Sequence, residues 1–318
     1  MDTLTFLQKM GKSFLFFAFF SMIVFSCTQD DSIEGESNLP NGTIDLPERT
    51  NADCEGEAFI QRKDAVVFPL DPSLFGLDNF VVNGALETHQ EITSSITGIT
   101  YRYHVYLPPE YELEPERSFP VLYWLDAQFW GIPNAMQPIK VVDFDELPVI
   151  VVGVEEGPAG RRAVDYIFPG ISTYNRFFTE EFIPTVESKY RVLSEDRTIQ
   201  GGSASGLASL AMMLSDQENP PIFKNHLAFD PFIQSTSSLQ NLLNDRLNTG
   251  VPLNKTLVIT SMKSGFSSSV DPYAEDLATR NISCLNIIHS SYQGDHFAST
   301  RSSTGDALRD IYSEYYEQ

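Results

Sequence analysis

Cysteine is scarce: the 318 residues contain three, Cys27, Cys54 and Cys284. No C-x-x-C or H-E-x-x-H pattern occurs, so neither a framework of bridges nor a zinc site is expected, and no metal or organic cofactor is implied. Basic side chains are also few, with 21 Lys and Arg against 43 Asp and Glu, a net charge of -22. Such a surface repels phosphate backbones and offers no basic stripe, which removes nucleic acid as an expected partner. A comfortable membrane crossing is missing as well: the apolar and small-residue stretch Ser13–Ser26 (SFLFFAFFSMIVFS) falls short of the about 20 residues a spanning helix needs. What remains is 42% hydrophobic and 12% aromatic, enough for a large buried core, which excludes disorder and collagen as overall descriptions.

Lys9 and Lys12 precede that short apolar stretch, the pattern of an export signal. Val24-Phe25-Ser26-Cys27 resembles the bacterial lipobox, which implies cleavage before Cys27 and diacylation of its thiol. Thr28-Gln29-Asp30-Asp31 resembles the acidic tag of Bacteroidetes surface lipoproteins. Residues 28–57 lack hydrophobic periodicity and read as a tether. The expected division is therefore a signal peptide over 1–26, a tether over 27–57 and one domain over 58–318. The expected location is the outer membrane, facing the periplasm or the cell surface, with the membrane met only through the lipid. A plain secretory signal is the alternative.

Within the domain, Thr100–Leu107 alternates and ends at Pro108-Pro109, a strand with a hard stop. Phe119–Leu125 and Pro148–Val154 are continuous apolar runs, the sort buried on both faces of a parallel sheet. Thr179–Tyr190 places Phe182, Ile183, Val186 and Tyr190 on one helical face. Strands are then expected over 197–201, 226–229, 256–261 and 284–289, alternating with helices over 206–214, 237–247, 273–280 and 304–316. That alternation predicts an α/β fold with a mostly parallel, doubly wound sheet.

Thr198–Gly206 runs from an apolar strand through small residues into a helix, the context of a nucleophile elbow with Ser203 at its apex. Gly201 and Ser205 fill the flanking places where such a turn needs small residues. A serine nucleophile needs a base. Of five histidines, His104, His226 and His289 fall in or at strands and His89 in a polar stretch, whereas His296 lies in a loop between the last strand and the last helix. His296 is therefore the expected base. The acid that orients it is expected after the strand 256–261, where Asp271 is the first carboxylate. Asp230 and a Ser-His pair without an acid are the alternatives, and Asp271 before Pro272 also reads as a helix cap.

These pieces together resemble a family, the esterase D and enterochelin-esterase-like branch of the α/β-hydrolases. The likeness rests on GITYRYHVYLPPEY (98–111), FPVLYWLDAQ (119–128), Arg162-Ala163-Val164-Asp165-Tyr166, FFTEEFIPTVESKYRV (177–192), RTIQGGSASG (197–206) and the GDHFAS segment around His296. It implies an α/β-hydrolase fold with helices on both sheet faces and a serine esterase acting through Ser203, His296 and an acid. It also implies an oxyanion hole from the backbone of Ala204 with Ala127 or Gln128. Implied substrates are small-molecule or glycan esters: acylated or feruloylated glycans, or siderophore esters. Phe129, Trp130, Tyr166 and Phe232 are the expected pocket walls. The family usually carries Gly where Ser205 and Ala127 stand and an acid early in the 263–269 loop; on those departures, the alternative is a binding lipoprotein that kept the fold and lost the chemistry.

Overall fold

The computed structural model describes residues 58–65, 82–128, 138–233, 237–280, 282–296 and 299–316. The expected signal peptide, the lipidation site Cys27 and the tether lie outside the described residues. All described residues belong to one compact unit, 41–318.

The chain order begins β1 (Phe59–Ala65), β2 (Ala85–Thr93), β3 (Thr100–Leu107), α1 (Glu110–Leu113), β4 (Phe119–Leu125), α2 (Pro138–Phe144) and β5 (Ile150–Val154). Next come α3 (Arg162–Asp165), α4 (Ile171–Arg176), a π-helical segment (Phe177–Phe182) and α5 (Ile183–Glu187). The nucleophile region is β6 (Val192–Gly202) and α6 (Ala204–Ser215), followed by β7 (Asn225–Phe229), α7 (Ser237–Thr249) and β8 (Lys255–Ser264). The order closes with α8 (Ser267–Thr279), β9 (Leu285–Asp295), α9 (Ser299–Ile311) and α10 (Ser313–Tyr316). The strands form one sheet in the order β1-β9-β8-β7-β6-β4-β5-β3-β2. From β1 to β5 every pairing is parallel, and β3 and β2 extend that edge antiparallel. The expected α/β architecture is the one observed.

Alternation along the central strands divides the core between two sheet faces. In β4, Val121, Tyr123 and Leu125 pack with Tyr174, Phe178 and Phe182, while Leu122 points to the face covered by Ile139, Leu308 and Tyr312. In β8, Leu257 and Ile259 meet α7 and α8 through Leu243 and Ala274, and Val258 turns the other way. The expected helix at 179–190 is present as a π segment running into α5. Pro184, in the first turn of α5, offers no N–H, which disfavours a regular i→i−4 ladder at that point.

β8 and β9 extend three and six residues beyond their expected apolar runs, because their ends are polar and reach past the core, whereas β7 stops at Phe229 as expected. Cys284, just before β9, is disulfide-bonded, and its partner lies outside the described residues.

Candidate active site

The parallel strands β4, β6, β7 and β9 all end on the same side of the sheet, where open α/β sheets collect their functional loops. The residue that follows β4 is Asp126, that after β6 is Ser203, that after β7 is Asp230 and that after β9 is His296.

Ser203 has φ 58° and ψ −120° and caps the N-terminus of α6. A non-glycine residue in that region carries about 1–3 kcal/mol of strain, which surrounding contacts must hold. Those contacts are present: the Ser203 N–H donates to the Phe229 carbonyl at 3.0 Å, and the Phe232 N–H donates to the Ser203 carbonyl at 2.9 Å. The turn is sterically closed, since a Cβ at Gly201 would collide with the Ser205 carbonyl. Ser203 thus stands at the head of a helix whose first N–H groups have no intrahelical acceptor.

Asp230 follows β7 directly, with a positive φ of 40°, and is fully buried. Its Oδ2 lies 2.6 Å from Nδ1 of His296. A carboxylate only accepts, so Nδ1 carries the hydrogen and Nε2 is left as the basic nitrogen. Oδ1 accepts the N–H of Met262 at 3.0 Å and of Phe266 at 3.1 Å. This wrapping requires Gly265, where a Cβ would strike Asp230 Oδ2. The segment 229–232 therefore grips both ends of the constellation: Phe229 and Phe232 hold the Ser203 backbone, and Asp230 holds His296.

Asp271 is not at this site, a correction to the sequence expectation. It lies within α8, and its Oδ1 accepts from Nε2 of His289 at 3.0 Å and from Ser291 Oγ at 3.2 Å. Burial acts to raise its pKa, and the hydrogen bonds from His289, Ser261 and Ser291 outweigh burial and bring it below the ordinary carboxylate value. The physical reason is register: α8 begins at Ser267, so Asp271 turns toward β9 instead of the loop that faces His296. The loop after β8 contributes peptide N–H groups to the acid, and the acid itself comes one strand earlier.

On the other flank, the residue after β4 is Asp126, in the left-handed region at φ 69°. Arg162 binds it in fork geometry, Nε to Oδ1 and Nη2 to Oδ2, each at 2.8 Å. Gln128 Nε2 donates to Asp126 Oδ1 at 2.9 Å, and Gln128 Oε1 accepts the Glu156 N–H at 3.0 Å. Burial, together with the nearby Asp126 charge, raises the Glu156 pKa. Ala127 is fully buried and is absent from the positive-φ residues, so the turn that could have demanded glycine falls on Asp126. Its methyl is accommodated opposite Gly153, where a Cβ would come within 2.9 Å of it.

The expected pocket residues separate. Phe232 is half-buried, and its ring packs at 5.4 Å on Phe266, which lies 4.5 Å from the His296 ring. Phe266 is absent from the expected pocket; an aromatic directly after the small Ser264-Gly265 pair is the one trace of it in the sequence. Tyr166 is fully buried in the core against Tyr174, so it lines no pocket, a second correction. Its hydroxyl pKa is driven well up by that burial. Phe129 and Trp130 lie outside the described residues. No group of three or more metal-ligating side chains occurs among the described residues.

A family model described as "Putative esterase" matches residues 94–304. Ferri-bacillibactin esterase BesA of Bacillus subtilis (strain 168) is 25% identical over an aligned stretch of 158 residues, which covers 41% of this chain and 54% of that protein. The chain thus spans little more than half the length of that curated relative. Among solved structures, the BES protein of Bacillus cereus superposes with a TM-score of 0.60 at 20% identity, covering 73% of this chain and 97% of that one. A ferulic acid esterase gives 0.55 at 19% identity, with 73% and 98% covered. The enterobactin hydrolase IroE gives 0.54 at 19%, with 74% and 97% covered. At such identities the structures establish a shared α/β-hydrolase fold.

Proposed function

The chain belongs to this esterase family, a family of carboxylic ester hydrolases with the α/β-hydrolase fold, and from that premise we propose that it is an exported, lipid-anchored serine esterase working through Ser203, His296 and Asp230. The single observation that carries the mechanism is the convergence on residues 229–232: the strained Ser203 turn is bonded to Phe229 and Phe232, and the buried Asp230 holds His296 at 2.6 Å. Nε2 of His296 takes the Ser203 proton as the oxygen attacks the ester carbonyl, and returns it to the leaving alcohol. Water, activated by the same nitrogen, then releases the acid. Asp230 fixes the tautomer and stabilises the imidazolium formed in each step. The carbonyl oxygen, turning anionic, is received by the N–H of Ala204 at the head of α6 and by that of Ala127 or Gln128, each such donor contributing about 2.7–4 kcal/mol in related sites.

Substrates of the proposed enzyme are feruloylated or otherwise acylated glycans, or siderophore esters. Three of the relatives are named for ferri-bacillibactin, ferulic acid and enterobactin, and the Phe232 and Phe266 rings beside His296 offer stacking faces for an aromatic acyl group. Export is supported by the short apolar stretch Ser13–Ser26 just before Cys27 and by a disulfide at Cys284, a bond that persists in oxidising compartments.

The test is labelling by a fluorophosphonate probe, expected in the unaltered protein and abolished in Ser203→Ala. Absence of labelling in properly folded protein defeats the mechanism. A panel of aryl acetate, feruloyl and catecholate esters then assigns the acyl group. Incorporation of an alkynyl fatty acid, lost in Cys27→Ala, tests the anchor.

A further inference from the structure

Ser205 stands where a glycine is usual in this kind of turn, and its side chain is fully buried. Its hydroxyl is not idle. Oγ accepts the N–H of Gly202 at 3.0 Å and lies 2.6 Å from Asp126 Oδ2 and 2.8 Å from the Gly202 carbonyl. One hydroxyl has one proton, and the carboxylate is both the nearer and the stronger acceptor, so Ser205 donates to Asp126. The Gly202 carbonyl is met instead by Arg162 Nη2 at 3.4 Å. Ser205 and Arg162 therefore each bridge Gly202, the residue just before the nucleophile, and the Asp126 carboxylate just past β4.

The position of this bridge matters for chemistry. Asp126 directly precedes Ala127, and Ser205 directly follows Ala204, so the 2.6 Å hydrogen bond joins residues adjacent to the two N–H groups that would face the oxyanion. The loop after β4 and the elbow after β6 belong to different strands, and their separation decides whether both donors reach one oxygen. A misplacement on the order of 1 Å is enough to cost about a hundredfold in rate.

We propose that Ser205 is a positioning residue of the oxyanion site, its hydroxyl clamping the Asp126 loop to the Ser203 elbow. This rests on the esterase reading above and deepens it: the departure from glycine is a compensation that supports the transition state, not the mark of a lost activity. The Arg162–Asp126 fork keeps the carboxylate neutralised when the hydroxyl is removed, so truncation should leave the fold standing.

The experiment measures turnover of p-nitrophenyl acetate by the full chain, with rates normalised to the sites titrated by fluorophosphonate. Ser205→Ala and, as a second variant, Ser205→Gly should lower kcat by about tenfold or more while KM stays within a fewfold, because the donors act on the transition state. Affinity for an aryl trifluoromethyl ketone, which forms a hemiketal oxyanion with Ser203, should fall by the same factor. In an Asp126→Asn background, Ser205→Ala should cost little more, since the bond is already weakened. Unchanged kcat and ketone affinity in both Ser205 variants, or a loss that vanishes on normalisation to labelled sites, would overturn the assignment. Unaltered protein that neither turns over ester nor accepts the probe would overturn the esterase reading itself, and this inference with it.

Discussion

Of the three histidine–carboxylate pairs among the described residues, the two whose histidines lie within and just after β9 are inverted with respect to solvent. In His296–Asp230 the carboxylate is fully buried and the imidazole is 24% exposed, at 2.6 Å. In His289–Asp271 the imidazole is 1% exposed and the carboxylate 35%, at 3.0 Å. A general base must reach a substrate proton while its partner is held dry and fixed, so only the first arrangement suits the work. The second has its imidazole sealed inside β9, with Gln61 Nε2 at 3.4 Å from Nδ1 and Asp271 on Nε2, both ring nitrogens occupied by structure. The contrast shows that a His–Asp contact alone carries no function; which partner faces out decides it.

The comparison is broken most forcefully by removing each imidazole. His296→Ala should lower kcat/KM for an activated ester by about four orders of magnitude or more, whereas His289→Ala should leave the activity per folded molecule within a fewfold and lower the melting temperature. Equal losses would erase the distinction. Next come the carboxylates. Asp230→Asn should cost about a thousandfold to ten-thousandfold, since the amide can favour the wrong imidazole tautomer, while Asp271→Asn should spare turnover. Steady-state kinetics on both, beside an urea titration of each, separates chemistry from stability. A smaller effect is expected at Gly265. Alanine there collides with Asp230 Oδ2, so the 262–266 loop must retreat from the acid, with a loss of about tenfold in kcat and about 1–3 kcal/mol in stability.

The two pairs also explain what could be read without coordinates. β3 and β4 begin and end where their patterns place them, since β4 is buried on both faces and apolar throughout, while β3 alternates and is stopped by proline. β1 and β2 left no such trace: β1 (FIQRKDA) and β2 (ALETHQEIT) are the sheet's edges, half-exposed, and their polar residues blur the alternation. The tight turn at Ser203 and the position of His296 just past the last strand were legible, because such a turn needs small neighbours and the segment separates an apolar strand from a helix. The carboxylate that pairs with His296 was not, because Asp230 and Asp271 both come after strands at the same end of the sheet. Choosing between them requires knowing that Gly265 lets two peptide N–H groups close on Asp230, while Asp271 turns inward from a helix. Ser205 presents the same limit, a residue class that signals departure in one dimension and a hydrogen bond to Asp126 in three.

The outer pair should leave its own signature in acid. Burial tends to raise Asp271, but its hydrogen bonds from His289, Ser261 and Ser291 prevail and hold its pKa below the ordinary value. A carboxyl depressed in the folded state contributes stability that is present above its unfolded pKa of about 3.9 and is lost as pH falls through the folded value. Stability measured by urea unfolding should therefore decline more steeply below about pH 4 in the unaltered protein than in Asp271→Asn. The difference is expected to be small, because the side chain is 35% exposed and water screens the interaction. Parallel acid limbs for the two proteins would mean that the His289–Asp271 contact is as strong in the unfolded chain as in the folded one, and the inversion of burial would then have no energetic consequence at that corner of the sheet.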